Sequence, residues 1–312
     1  MKSVDRRLGK PRWRRYSSRI RRVEAAVLGF VLLAPQASHD LTFTFRTRQP
    51  IVQVSVNGGA AVPFVVDTGA TIHLVDEAIA KQTGLAGTSD LQMHGGGQAG
   101  VQAHIAETLT MRVGDLTWRG QRAAIVPLGY PTRKHFAGLL GAQILKQYTV
   151  RFDFTGHTMS LLDPATYHRP SGAIQLPFEL DEDLPIVHVT LDVGSGPLDA
   201  RLMVDTGAAA FVELNQPFVE AHHLLAHIPD AAPDDRPAAL GGTAPFVYGT
   251  ARRVVFGGVT FDNPRIGLSR ATSGSSSRSE RDGILGNDLL SHFIVTLDYA
   301  RLTLLLEPRG PQ

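Results

Sequence analysis

The chain has 312 residues, 43% of them hydrophobic and 19% charged, a composition that excludes a disordered or collagen-like protein and leaves room for two ordinary domains. It contains no cysteine, which excludes disulfide frameworks, thiolate metal sites and cysteine nucleophiles. The net charge of +2 hides an asymmetry: residues 1–37 carry ten basic and two acidic side chains, and the remainder carries 21 basic and 27 acidic. That mildly acidic remainder offers no electrostatic support to a nucleic-acid partner.

The basic head runs into an apolar stretch, residues 25–34, followed by the small residues Ala37 and Ser38. Ten apolar residues are too few for a spanning helix, which needs about 20. Residues 1–38 are therefore expected to be an export signal, with an uncleaved anchor or a basic tail as alternatives, and the protein is expected to be periplasmic, secreted or membrane-anchored.

Beyond the head, the chain repeats itself. Val52, Val54 and Val56 alternate with polar residues as a strand does, and the Asn57-Gly58-Gly59 turn follows. Next come an apolar run ending in Asp67-Thr68-Gly69-Ala70, a helix expected over 76–83, and a glycine-rich loop at 94–100. Leu109, Met111 and Val113 alternate again. Gly138-Leu139-Leu140-Gly141 then precedes a helix expected over 142–146 and a strand pair at 150–154 and 158–162. After residues 168–172 the series recurs. Pro185 answers Pro50, Asp205-Thr206-Gly207-Ala208 answers the first triplet, and Gly283-Ile284-Leu285-Gly286 answers the first Gly motif, at offsets of 135, 138 and 145 residues. Helices are expected over 216–225 and 288–292, and a final strand pair at 295–299 and 302–306. Residues 230–237 and 273–281 are expected to be mobile loops, the second a low-complexity tract with no apolar anchor. The expectation is an all-β chain of two similar lobes, 41–165 and 172–308.

Asp67 and Asp205 each follow three apolar residues and precede Thr-Gly-Ala. A carboxylate at the end of a buried strand is costly unless it is hydrogen-bonded, and glycine lets the backbone turn and its amides approach. Matching positions in two lobes suggest packing that brings the acids together. Two close carboxylates share one proton, which makes an acid and a base in one site. Such a pair suits direct attack of water on an amide, with no covalent intermediate.

Two copies of apolar-apolar-Asp-Thr-Gly-Ala, each followed by apolar-apolar-Gly, resemble the pepsin-like and retropepsin-like aspartic proteases. The alanines Ala70 and Ala208 lean toward the retropepsin branch and its bacterial single-chain relatives. The resemblance implies two retropepsin-like β-barrel lobes with an active-site cleft between them, and an aspartic endopeptidase with Asp67 and Asp205 catalytic. It also implies that Thr68 and Thr206 cross-bond the lobes and that Gly69 and Gly207 steady the carboxylates through backbone amides. A hairpin flap is expected at Gly95, Gly96 and Gly97, with a counterpart at residues 240–243, although the first region lacks the tyrosine that pepsin-like enzymes carry there. The expected ligand is an extended polypeptide; neither metal nor cofactor is implied, and a monomer should suffice because each chain holds both triplets. The rival expectation is a catalytically silent peptide-binding protein of the same fold at the cell envelope.

Overall fold

The computed structural model describes residues 38–128, 135–238 and 240–309. The expected export segment, save Ser38, lies outside these residues. Gln36–Gln312 forms one compact unit, and no helix among the described residues is long and apolar enough to cross a membrane.

The fold is mostly β. In the first half six strands close into a ring. Gln49–Val56 pairs with Ala61–Val66, which runs parallel to Gly138–Leu140. Gly138–Leu140 pairs with His73–Asp76, which runs parallel to Leu116–Val126. Leu116–Val126 forms a long hairpin with Val101–Val113, and Val101–Val113 returns to Gln49–Val56 through Ser55 and Val56. The alternation that marked Val52, Val54 and Val56 places all three side chains inside, fully or almost fully buried.

The second half repeats these pairings in kind and order. Leu184–Asp192 pairs with Pro197–Val204, which runs parallel to Gly283–Leu285. That strand pairs with Val212–Leu214, which runs parallel to Arg265–Ser269. Here the long hairpin is interrupted. Phe246–Thr250 and Arg253–Phe256 stand where the first half has one strand, and their partners are separated at Asn263 and Pro264. Pro264 has no N–H to give a ladder, and Asn263 turns with φ 55°. Two bonds bridge the break, from Ala251 N–H to Pro264 O (3.0 Å) and from Asn263 N–H to Arg252 O (3.1 Å). Among the described residues the ladder ends at Val259–Asp262 and does not close into a second ring.

A six-stranded antiparallel sheet joins the halves. Thr149–Asp153 of the first pairs with Phe293–Asp298 of the second, so that Phe152 faces Val295 in register. Ser38–Thr42 and Ile174–Pro177 form its edges. Its buried face carries Phe152, Val295 and Leu297 into a core continuous with both halves. Burial of that kind, at about 25 cal/mol per Å² of apolar area, is the main source of stability.

Helices are short, as expected. Asp76 caps Glu77–Gln82 by accepting from Ala78 N–H. The helix expected over 216–225 ends instead at Ala221, because His223 takes a left-handed φ of 52° and a 3₁₀ turn, Leu224–His227, follows. The two expected loops are also more ordered than their composition implies. Within 230–237, Ala232–Pro233 pairs with Phe246–Thr250, and Arg236–Pro237 pairs with Thr243–Ala244. Within 273–281, Ser275–Ser277 forms a 3₁₀ turn and Arg281 is buried. The first is also anchored by Ala231, which packs against the core, and the second by backbone and polar groups.

The central glycine strands admit no side chain. A Cβ at Gly138 would meet Leu74 O and the Phe64 ring, and one at Gly283 would meet Glu213 O. Gly138→Ala and Gly283→Ala should each lose roughly 1–3 kcal/mol, the usual cost of overpacking. Urea denaturation measures this; midpoints equal to wild type would contradict the close packing of these strands.

Candidate active site

Asp67 and Asp205 lie just beyond the ends of Ala61–Val66 and Pro197–Val204, beside the two Gly-apolar-apolar strands. Asp67 N–H donates to Leu140 O and Asp205 N–H to Leu285 O, both at 3.0 Å. Each chain then turns, with Ala70 N–H reaching Asp67 O (3.4 Å) and Ala208 N–H reaching Asp205 O (3.3 Å). The turns are held from behind by Ala142 N–H to Ala70 O (2.8 Å) and Asn287 N–H to Ala208 O (2.9 Å). The motif following each Gly-apolar-apolar run thus supports the aspartate turn directly.

The threonines tie the two turns together. Thr68 Oγ1 donates to Val204 O (2.7 Å) and accepts from Thr206 N–H (3.0 Å). Thr206 Oγ1 donates to Val66 O (2.7 Å) and accepts from Thr68 N–H (3.1 Å). Both threonines are fully buried. Losing one hydroxyl would strand a buried N–H and a buried C=O, at about 1–3 kcal/mol for each orphaned group.

This cross-link brings the carboxyl groups within hydrogen-bonding reach of one another. Gly69 N–H donates to Asp67 Oδ1 and Gly207 N–H to Asp205 Oδ1, each at 2.8 Å. The glycines serve a further purpose that the sequence did not suggest. Neither has a positive φ. A Cβ at Gly69 would instead stand 2.6 Å from Asp205 Cγ, and one at Gly207 would stand 2.5 Å from Asp67 Cγ. Each glycine leaves space for the opposite carboxyl group.

Burial, and then the charge of Asp205, push the Asp67 carboxyl well above the ordinary carboxylate range. Burial raises Asp205 too, but the Gly207 amide, the hydrogen bond with Asp67 and the positive charge of Arg281 oppose it. The two carboxyl groups therefore titrate as one coupled pair that holds a shared proton above the ordinary carboxylate range.

Several supporting residues carried no signal in the motifs. His73 is fully buried, its Nδ1 accepts from Gly141 N–H (2.9 Å), and burial lowers its pKa to about 4, so the ring is neutral. Gln49 Nε2 donates to Gly207 O (2.5 Å), and Asn287 Nδ2 donates to Thr206 O (2.7 Å) and Arg48 O (2.8 Å). Only tertiary contact reveals these roles, because each acts on a backbone carbonyl or amide distant in sequence.

A cleft of 820 Å³ opens over the two acids. Its first-half lining includes Ile72, Leu74 and Leu139 beside Gln49 and His94, and its second-half lining includes Glu213, Arg236 and Arg281 beside Met203 and Ile284. Gly95 and Gly96 line it, as does Leu240 of the opposite glycine loop. The two loops meet edge to edge. Gly97 N–H donates to Leu240 O (2.9 Å), Gln98 N–H to Thr243 O (3.2 Å) and Ala99 N–H to Gly241 O (2.9 Å). The serine-rich segment joins them through Ser275 N–H to Gly95 O (3.0 Å) and Ser273 Oγ to Gln98 O (2.7 Å). Among the described residues no three His, Asp or Glu side chains are grouped to hold a metal ion.

Residues 52–144 match the aspartyl protease family model. This segment includes Asp67-Thr68-Gly69, Gly138-Leu139-Leu140-Gly141 and most of the closed ring. None of the curated proteins compared with the chain matches it.

The raised carboxyl pKa links stability to pH. The native pair holds protons at pH values where an unfolded aspartate, with an ordinary value of 3.8, has released them. Stability therefore falls as pH rises from that value toward the folded pKa, because the native state binds more protons than the unfolded one. Asp67→Asn removes the largest part of this fall. Its melting temperature should be close to wild type near about pH 3.5 and should exceed it near about pH 7. Thermal melts across this range check it; a difference that does not widen with pH would contradict the shared-proton site.

Proposed function

We propose that the protein is an aspartic endopeptidase that hydrolyses peptide bonds with a water held between Asp67 and Asp205. The observation that carries this reading is the convergence of two buried, coupled carboxyl groups under an 820 Å³ cleft. The family match of residues 52–144 supports it for the first half. For the second half the support is the repeated motif and the repeated order of strand pairings. On this reading 41–165 and 172–308 are the two lobes of a retropepsin-like pair, and the cleft runs between them.

The chemistry follows from one shared proton, assigned on this reading to Asp67. Ionised Asp205 takes a proton from water as its oxygen attacks the amide carbon. Asp67 gives its proton to the carbonyl oxygen, and a neutral gem-diol results. Asp205 then passes its proton to the amide nitrogen as the C–N bond breaks, and Asp67 recovers a proton from a gem-diol hydroxyl. Both carboxyl groups end as they began. The substrate is an extended polypeptide, bound by strand-like hydrogen bonds beneath the two glycine loops, which part to admit it. Both triplets and their threonine cross-bonds belong to one chain, which supports a monomer. The basic and apolar head supports export.

Cleavage of an unfolded protein or peptide pool by wild type, Asp67→Asn, Asp205→Asn and the double variant tests the reading. Each single variant should lose activity by about 10²–10⁴-fold, the range of positioned acid–base catalysis, and the double little more. Activity should fall at both pH extremes. A folded single variant that keeps substantial activity would misassign the pair. Wild type that binds peptides without cleaving them would instead favour a catalytically silent peptide-binding protein.

A further inference from the structure

Strand register exposes a substitution that motif alignment hides. Counting from the two aspartates pairs Glu213 with Val75. The sheets pair it with Leu74. Leu74 stands between Leu139 on one neighbouring strand and Ala124 on the other, with Ile105 opposite Ala124. Glu213 stands between Ile284 and Gly267, with Tyr248 opposite Gly267. The second triplet is followed by one extra residue before its strand, which shifts the count. Where the first half has Leu74, Leu139 and, behind the cleft, Ile105, the second thus has Glu213, Ile284 and, behind the cleft, Tyr248.

The surroundings of Glu213 and Tyr248 are fitted to them. Tyr248 Oη donates to Glu213 Oε1. A Cβ at Gly267 would stand 2.9 Å from Glu213 Cγ and 3.0 Å from the Tyr248 ring, so this pair requires glycine where the first half has Ala124. Arg236 lies over the Tyr248 ring, 4.1 Å from its centroid.

Glu213 lines the cleft, yet among the described residues it has no cationic partner within ion-pair distance. The nearby arginines are engaged elsewhere: Arg236 with Asp234 (3.0 Å), Arg278 with Glu280 (3.2 Å) and Arg281 with Asp181 (3.5 Å). Burial pushes the Glu213 carboxyl up, against the Tyr248 hydrogen bond and the Arg236 charge. A half-buried carboxyl group in the cleft, held by a neutral hydroxyl, has the Arg236 charge nearby but no cation in contact with it to offset its burial.

We infer that Glu213 is a specificity-determining residue, and that the second-half wall of the cleft selects substrates carrying a lysine or arginine side chain at the position it faces. The incoming ammonium or guanidinium supplies that direct cationic contact, while the Leu74 side takes an apolar side chain. Because its subsite would distinguish an ion pair from a bare apolar contact, the selection is expected to be about tenfold or more. This inference rests on the peptide-hydrolase reading of the cleft, and its test separates the two.

The test uses one peptide sequence in which lysine, norleucine or glutamate is placed in turn at each position flanking the cleaved bond. A second set carries a reduced, uncleavable amide. Wild type, Glu213→Gln and Glu213→Leu are compared by kcat/KM on the first set and by calorimetric Kd on the second, with thermal melts as folding controls. At one position wild type should favour lysine over norleucine by about tenfold or more in both measurements, Glu213→Gln should lose most of that ratio, and Glu213→Leu should reverse it. Lysine-selective binding without cleavage would sink the hydrolase reading and leave the subsite standing. Cleavage or binding with no lysine preference at any position, or with the same preference in folded Glu213→Leu, would overturn the subsite.

Discussion

The reciprocal bonds of Thr68 and Thr206 are the constraint on which the rest depends. Each hydroxyl serves the other half of the chain twice, once as donor and once as acceptor, with all four groups buried. Distances between the two aspartate turns are thereby set by bonds of 2.7–3.1 Å rather than by looser apolar contact. That precision matters because electrostatic coupling between two carboxyl groups falls quickly with separation, and more so when water enters. The six-stranded sheet that joins the halves works to the same end from the far side, carrying Thr149–Asp153 against Phe293–Asp298.

Near-symmetry creates the pair, and departures from symmetry distinguish its two members. The backbone around both aspartates is almost interchangeable, bond for bond. Arg281 is not: its charge opposes the rise that burial gives Asp205. Behind the turns, Ala142 in one half is answered by Asn287 in the other, whose side chain holds two further carbonyl groups. His73 and Phe211 occupy matching places in sequence, but Gly141 N–H is met by a ring nitrogen and Gly286 N–H by the Phe211 carbonyl (3.2 Å).

What the sequence made legible was local chemistry. An apolar run ending in Asp-Thr-Gly states its strand, its turn and its acid within a few residues, and its recurrence stated the repeat. The alternation at Val52, Val54 and Val56 likewise stated which face is buried. Less legible was anything set by contact between distant segments. The serine-rich tract has no apolar anchor, yet Ser273 and Ser275 are held by backbone carbonyls of the opposite glycine loop. The helix expected past Ala221 was lost to the left-handed turn at His223, a choice of one φ angle that apolar spacing does not encode. Continuity of the second long hairpin was broken at Asn263-Pro264, where the missing N–H of proline was visible but its register was not. Glu213 falls opposite Val75 when counted from the aspartates, and only the sheets align it with Leu74.

Catalysis on this reading turns on Asp67 and Asp205 sharing a proton in a buried site. Carboxyl ¹³C titration by NMR, with aspartate labelled and the two signals assigned through Asp67→Asn and Asp205→Asn, reads this directly. Two coupled transitions are expected. The later one should fall well above the ordinary value of 3.8, with both signals responding to each transition. Two independent transitions near the ordinary value, each unmoved by replacing the other aspartate, would contradict it.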